Sequence, residues 1–172
     1  MKVKDLKETE YNVYYDRYIS KVPADIDLRE GFELDKKKVI NFFSSIPTDR
    51  LLYRYKDNKW SIKEVFQHLI DTERIFMYRC FRIARKDKTA LAGFNQDDYI
   101  APSKADYKTI NELLSEFTIT RDYSINLLNS LSDEDLKCIG ESNGSEISAR
   151  AAAITLLGHS LWHIEVIEER YL

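Results

Sequence analysis

The sequence contains little of what several other protein classes need. Two cysteines, Cys80 and Cys138, are too few for a disulfide framework or a cysteine-built zinc site, and five glycines and three prolines disfavour a turn-rich β-sandwich. No apolar run approaches the roughly 20 residues of a membrane-spanning helix, and residues 1–5 lack the apolar stretch of a secretory signal. We therefore expect a cytoplasmic protein.

The composition is that of an ordinary globular chain without an excess of basic residues. The 172 residues are 44% hydrophobic and 32% charged, and the formal net charge is −3. This length suits a single domain, 1–172, with one sizeable core. A slightly acidic chain is not attracted overall to phosphate backbones, so neither nucleic acid nor a membrane is an expected partner.

Apolar residues recur at helical spacing in four long segments. The predicted helices span 28–46, 61–86, 106–131 and 148–171. Pro47 ends the first, and Ser61 with Glu64 fits a capping box at the start of the second. The pattern predicts an all-α fold, a four-helix bundle.

The connections between these helices predict the topology of the bundle. Residues 87–105, about 19 in number, can cross the whole bundle, so the second and third helices can run parallel in an up-down-down-up arrangement. Asn143 and Gly144 within 137–147 predict a small hairpin between the third and fourth helices. Residues 1–27, rich in tyrosine, are expected to form an N-terminal arm packed on the bundle.

The chain has only three histidines, His68, His159 and His163. The last two are four residues apart, so their side chains share one face of the fourth helix. All three lie roughly 60–100° from the centre of their helix's apolar stripe, at the border between core and groove. With the second and fourth helices antiparallel and a rise of about 1.5 Å per residue, the three reach similar heights in the bundle.

Three neutral imidazoles without another protein ligand make an open metal site, with a position left for water or substrate. Nitrogen ligands suit zinc or nickel better than magnesium or calcium, so the expected cofactor is one such divalent ion per chain. A histidine pair four residues apart is also common without a metal, and simple hydrogen bonding stays an alternative. Ser160 stands where a zincin protease motif has glutamate, which disfavours that class.

Five short segments carry recognisable motifs: 59–64 (KWSIKE), 68–73 (HLIDTE), 93–99 (GFNQDDY), 158–163 (GHSLWH) and 169–172 (ERYL). Together they resemble the DinB/YfiT-like superfamily of metal-dependent enzymes, and the similarity runs from about residue 11 onward. The resemblance implies an up-down-down-up four-helix bundle in which His68, His159 and His163 hold nickel or zinc. Related members often carry a further histidine, not a ligand, at the position of Trp162.

The resemblance also implies a small-molecule substrate. It favours an S-transferase that uses a low-molecular-weight thiol such as bacillithiol, mycothiol or glutathione, with metal-dependent hydrolysis as the alternative. In both, the metal lowers the pKa of a thiol or of water and so presents a nucleophile. A non-catalytic, stress-related bundle with a structural metal and a metal-free interaction module stay open. Related bundles often pair, so a homodimer is expected.

Asp71 and Thr72 are weaker candidates on the second helix. They follow His68 by three and four residues, so either can contact the histidine face or hydrogen-bond an imidazole from behind. Solvent exposure explains Asp71 as well. Glu73 lies roughly 140° around the helix from His68, which predicts an ion pair with an arginine of another helix rather than a metal ligand.

The long crossover supplies Asn95, Asp97 and Tyr99, which we expect around the mouth of the site because loops of this length are often functional. Turn formation alone also explains the asparagine and the aspartate. Three tyrosines of the arm can line a pocket or simply pack the arm: Tyr11, Tyr14 and Tyr15.

Three arginines on the second helix have two interpretations. Arg79, Arg82 and Arg85 can receive an anionic group, but a solvated cationic face is the simpler prediction. Cys80 lies on the apolar stripe and is expected to fill the core. Cys138 lies in the hairpin region, directly after Lys137.

Overall fold

Four long α-helices form the body of the protein. The computed structural model describes residues 1–172, and the predicted all-α four-helix bundle is confirmed. The helices are α1 (Asp16–Ile19), α2 (Leu28–Ser45), α3 (Ile62–Ala84), α4 (Asp97–Ser103), α5 (Ile110–Ser130), α6 (Asp133–Leu136) and α7 (Ala149–Arg170), and the strands are β1 (Ile139–Ser142) and β2 (Ser145–Ser148). None of the helices is both long and apolar enough to cross a membrane.

Side-chain caps fix where the long helices begin. Ser61 accepts a hydrogen bond from the Glu64 amide at the start of α3, as the capping box predicts. The third long helix was expected from residue 106, but α5 begins at Ile110. The reason is a second capping box, in which the Thr109 side chain accepts from the amide of Glu112 and the residues before it form a short 3₁₀ turn.

Hydrogen bonds between helices give the directions of α3, α5 and α7. Gln67 Nε2 donates to Glu116 at 3.1 Å, and farther along both helices Arg121 Nε donates to Glu73 at 2.8 Å. α3 and α5 therefore run the same way. The Tyr171 hydroxyl, just after α7, donates to the backbone carbonyl directly before α3, so α7 is antiparallel to α3.

α2 runs opposite to α5. Arg29 Nε near the start of α2 donates to the Leu128 carbonyl near the end of α5 at 3.2 Å, whereas Arg121 Nη1 donates to Asp35 at 2.6 Å. The four helices in chain order thus point up, down, down and up. Ser160 Oγ of α7 donates to the same carboxylate at 3.0 Å, which ties α2, α5 and α7 together.

The buried core is divided into two apolar clusters. One packs around Phe32 and Met77, and the other around the stacked rings of Phe43 and Phe66. Buried polar side chains from all four long helices lie between the clusters and are here called the polar layer: Asp35, His68, Thr72, Glu73, Arg121, Ser124, His159, Ser160 and His163. Burying so many polar groups is costly unless they are paired, so this layer marks a place for function or specificity.

The two connections after α3 are more structured than a plain loop. The crossover contains α4, which was not predicted because it is short and includes Pro102. β1 and β2 form the predicted hairpin, with the positive φ values of 53° at Asn143 and 73° at Gly144 that a type I′ turn requires. Leu91 of the crossover pairs with Ser142, so crossover and hairpin touch.

The N-terminal arm contacts the bundle mainly through α7. It consists of short 3₁₀ turns followed by α1, and Ile19 and Val22 are buried against the bundle. A Cβ atom at Gly158 would lie 1.9 Å from the Tyr18 carbonyl oxygen. The missing side chain therefore lets the backbone of α1 touch the backbone of α7 beside His159.

Candidate metal centre

The three histidines converge within the polar layer. His68 comes from α3, and His159 and His163 come from successive turns of α7. Nε2 of His159 lies 3.0 Å from Nε2 of His68 and 3.1 Å from Nε2 of His163. The sequence therefore located a real cluster, and its ring nitrogens point toward a common centre.

Burial keeps these imidazoles neutral. It lowers the pKa of His68 to about 4. The pKa of His159 is also well below its ordinary value, because of burial and then the nearby His163 and His68, and the pKa of His163 is lowered by burial and by His68. Neutral imidazole is the form that binds metal.

The donor set fits a divalent cation. A ring nitrogen presents one N–H or one lone pair, so Nε2 of His159 cannot satisfy both of its short contacts with linear hydrogen bonds. A cation accepts all three lone pairs at once. Ligands about 2.0–2.1 Å from a tetrahedral zinc lie about 3.3 Å apart, which is close to the two distances from His159, and all three ligand atoms lie within 4.8 Å of one another.

Neighbouring side chains restrict how the imidazoles can move. Thr72 Oγ1 lies 3.4 Å from Nδ1 of His68, one helical turn away. Ring centroids of Trp60 and His68 are 4.8 Å apart, and those of Trp162 and His163 are 4.6 Å apart. Trp162 thus packs on a ring of the histidine cluster.

A cavity of about 500 Å³ opens on the cluster. His68 and His159 form part of its wall, and the arm supplies tyrosine side chains opposite them. Other lining residues come from α3, the crossover, the hairpin and α7: Thr72, Phe76, Arg79, Phe94, Asn95, Gln96, Asp97, Ser142, Asn143, Ser145 and Thr155. This is the size of a small-molecule site, and two of the three histidines line it.

A second cavity of about 410 Å³ lies on the His163 side of the cluster. It is lined by aromatic residues that include Trp60 and Trp162. Four residues line both cavities: Tyr14, Tyr18, Gln96 and Asp97. The arm and the start of α4 therefore separate the two cavities, which both border the histidine cluster.

The structure brings some of the weaker candidates to the site and not others. Thr72, Asn95 and Asp97 line the first cavity. Asp71 instead hydrogen-bonds with Gln67 and pairs with Arg74 at the surface. Tyr99 is largely exposed and lies outside both cavities beside the histidines. Tyr14 and Tyr15 line the first cavity, whereas Tyr11 does not.

One of the two interpretations of the α3 arginines fails at Arg79. The solvated-face prediction holds for the exposed Arg85, but Arg79 is only 3% exposed and lines the first cavity. The spacing of Arg79 from His68 could have predicted this position. Eleven residues make about three helical turns, so Arg79 lies on nearly the same helix face as His68. Glu73 forms the predicted interhelical ion pair, with Arg121.

Neither cysteine belongs to the site. Cys80 is fully buried in the apolar core, as expected, and burial raises the pKa of its thiol to about 12. Cys138 is half-buried at the edge of the same core cluster and lines neither cavity.

The fold and the cluster together define a class of protein: a helical bundle with an open three-histidine site suited to a divalent metal ion. A family model of the DinB superfamily matches residues 32–167, so the chain belongs to that superfamily.

Among solved structures, YfiT from Bacillus subtilis is similar, with a TM-score of 0.74 and 18% identity over 87% of this chain and 90% of that chain. That protein is described as a probable metal-dependent hydrolase with an unusual four-helix bundle topology. At this identity the likeness shows the shared fold. No curated protein matches the sequence.

Proposed function

We propose that the protein is a metal-dependent S-transferase in which His68, His159 and His163 bind one Zn²⁺ or Ni²⁺ ion per chain. The observation that carries the proposal is the convergence of three neutral imidazoles between two cavities, with His68 and His159 lining the first and His163 lining the second. When bound, the ion would supply a Lewis acid that lowers the pKa of a low-molecular-weight thiol.

The protein's own residues hold and enclose the reactants. Thr72 and the two tryptophans constrain the imidazoles, so their nitrogens are positioned before a substrate arrives. Tyr18 packs edge-on against His159, with ring centroids 5.2 Å apart, and restricts water on that side. Cys80 is buried and Cys138 lines neither cavity, so the attacking thiol would come from a substrate.

Two cavities beside one cluster favour a reaction with two substrates. A thiol and its electrophile can approach from opposite sides, through the cavities of about 500 Å³ and 410 Å³. The two substrates would meet at the histidines, next to the side chains that line both cavities. A hydrolase needs only one such chamber, because its second reactant is water.

Hydrolysis is the second candidate, and the similarity to YfiT favours it. In that case water replaces the thiol, and the same histidines hold the ion that lowers its pKa. The second cavity would then serve as a product exit or bind part of a larger substrate.

The test compares the parent protein with His159→Ala and Cys138→Ser. We expect one divalent ion per parent chain by elemental analysis. We also expect conjugation of glutathione, bacillithiol or mycothiol to 1-chloro-2,4-dinitrobenzene, lost on chelation and in His159→Ala but kept in Cys138→Ser. Cys138→Ser removes the one protein thiol that is partly exposed, and it leaves the histidines untouched.

Each of the other possible results identifies a different function. Metal with ester hydrolysis but no thiol conjugation selects the hydrolase. Metal without turnover, together with unfolding that shifts strongly on metal addition, selects the stress-related bundle with a structural ion. A parent protein that binds no divalent ion refutes the proposal and leaves the interaction module.

Two parts of the proposal are measured separately. Elemental analysis of protein purified without added metal distinguishes zinc from nickel. The expected homodimer is tested by light scattering coupled to size-exclusion chromatography, where a monomer mass contradicts it.

A further inference from the structure

Arg79 lies in the first cavity on the same side of α3 as His68. Three helical turns separate them, a rise of about 16 Å between their Cα atoms. Both side chains line the cavity of about 500 Å³, so one ligand can contact the histidine cluster and the guanidinium at once.

Arg79 is a buried cation without a carboxylate partner. It is 3% exposed, and its one acceptor within hydrogen-bond distance is the Ala92 carbonyl, 3.0 Å from Nη2, with the Tyr15 hydroxyl also beside the guanidinium. The rings of Phe76 and Phe94 lie 4.8 Å and 5.6 Å from the guanidinium carbon. Arginine stays charged in proteins, so most of its five N–H donors remain available to a ligand.

The other buried arginines show what this one lacks. Arg121 pairs with two carboxylates of the polar layer, and Arg150 pairs with Glu10. A charged side chain is almost never fully buried unless it is paired. The exposed Asp97 is the only carboxylate on the same cavity wall, and it forms no ion pair with Arg79.

Ser142 supplies a second, independent observation. Its hydroxyl is the one buried side-chain polar atom of the chain without a hydrogen-bond partner, and it lines the same cavity. Ser142 pairs with Leu91, whose neighbour Ala92 accepts the hydrogen bond from Arg79. The free hydroxyl and the guanidinium therefore lie in one corner, where the crossover meets the hairpin.

We infer that Arg79 and Ser142 form a subsite for the carboxylate of an anionic substrate whose reacting end lies at the histidine cluster. The planar guanidinium donates to both carboxylate oxygens, as arginine does in bidentate pairs, and the serine hydroxyl adds a third donor. This inference rests on the proposed function for the position of the reacting atom, but not for anion binding itself. It selects long, carboxylate-bearing thiols over neutral ones.

The test uses linear thiols that differ only in their far end. Zinc-loaded protein is titrated calorimetrically with 6-mercaptohexanoate, 8-mercaptooctanoate and 11-mercaptoundecanoate, and with the three matching alcohols. We expect the carboxylate to bind about tenfold or more tightly than its alcohol for the longer chains, the gain from one charge-assisted hydrogen bond. The shortest chain should show little preference, because it cannot span the distance.

Variants locate the preference. Arg79→Met should abolish it, Ser142→Ala should reduce it severalfold, and Arg79→Lys should keep most of it because the charge remains. Arg85→Met is the matched control: it removes the same charge from the exposed end of the same helix and should change nothing. If Arg79→Met fails to fold, the parent protein and Arg79→Lys still test the inference. Equal affinity of the parent protein for the acid and its matching alcohol overturns it.

A metal-free arm separates this inference from the proposed function. Chelated protein is titrated with octanoate and with octanol, neither of which needs a metal. An Arg79-dependent preference for octanoate there supports the subsite even if no enzymatic activity is found. Tight thiol binding by the zinc protein with no preference for carboxylate overturns the subsite and leaves the proposed function standing.

Discussion

The Cα of Gly158 and the carbonyl oxygen of Tyr18 are so close that a methyl group on the former would lie 1.9 Å from the latter. No rotamer change relieves such an overlap, because both partners are backbone or directly attached to it. The glycine is therefore what allows the N-terminal arm to form one wall of the cavity beside His159.

We expect Gly158→Ala to displace α1 from α7. Alanine favours the helix by about 1 kcal/mol, but the clash costs more, so the free energy of unfolding should fall by about 1–2 kcal/mol. Urea unfolding measures the loss, and limited proteolysis should show faster cleavage within residues 1–27.

Gly31→Ala is the control for that prediction. It makes the same change inside α2, where the new methyl group would meet the flexible end of Leu157 at 2.9 Å and would lie at an ordinary contact distance, 3.5 Å, from the end of Ile26. It should leave the arm protected from protease. Equal proteolysis of both variants would show that the arm does not depend on Gly158.

Glu73→Gln should destabilise the bundle strongly. The carboxylate accepts from Arg121 at 2.8 Å and 2.9 Å and from Ser124 at 2.7 Å, all in the buried polar layer. Breaking a buried ion pair costs about 3 kcal/mol, and here Arg121 would lose the carboxylate that accepts two of its hydrogen bonds and keep only Asp35. Denaturant unfolding of the metal-free protein measures the change.

The surface pair of Lys36 and Asp122 offers the comparison. It joins α2 to α5, so it shares α5 with the Glu73–Arg121 pair, but it lies in partial contact with solvent. Asp122→Asn should cost less than about 1 kcal/mol, as exposed pairs do. A similar cost for Glu73→Gln would mean that the polar layer does not hold the helices.

The metal-free protein should lose stability on acidification. The pKa of His68 is about 4 in the folded state, against about 6.5 for an unperturbed histidine. Between these values the unfolded chain binds a proton that the folded chain does not. Stability is therefore complete above pH 6.5 and falls toward pH 4, by about 3 kcal/mol from His68 alone.

His68→Gln checks the origin of this effect. The variant lacks the titrating group, so its unfolding free energy should fall less steeply between pH 6.5 and 4. Unfolding curves at a series of pH values, with chelator present, make the comparison. Parallel curves for parent and variant would contradict the assignment.

Thr72→Val should weaken metal binding without abolishing it. Thr72 Oγ1, 3.4 Å from Nδ1 of His68, can accept its proton and so direct the Nε2 lone pair at the ion. Loss of such a contact costs about tenfold in affinity, measured by competition with a chromogenic chelator. Thr155→Val, on the same cavity but bonded to its own helix, should bind metal like the parent.

The sequence predicts the histidine cluster because its determinants are local. His159 and His163 share a face through helical spacing, and the cap at Ser61 fixes the height of His68. The length of the crossover sets the helix order. Each of these follows from neighbours in the chain, and the structure places the three rings together.

The cavity depends on contacts that are distant in sequence. Arg79 repeats the position of His68 after three turns, but its burial requires Phe94 of the crossover to lie over it. The arm reaches the site only because residue 158 is glycine, and nothing in the arm's own sequence indicates that. α4 is too short, and too interrupted by Pro102, for its pattern to be distinctive.

The hydrogen bond from Ser160 to Asp35 has a consequence for how such a protein can diversify. It fastens the helix turn that carries His159 to the charged cluster behind it, whereas the cavity is walled by the arm, the crossover and the hairpin. Exchanges in those three connecting pieces can reshape which molecules enter while the imidazoles keep their spacing. The same helical core can thus carry cavities of many different shapes.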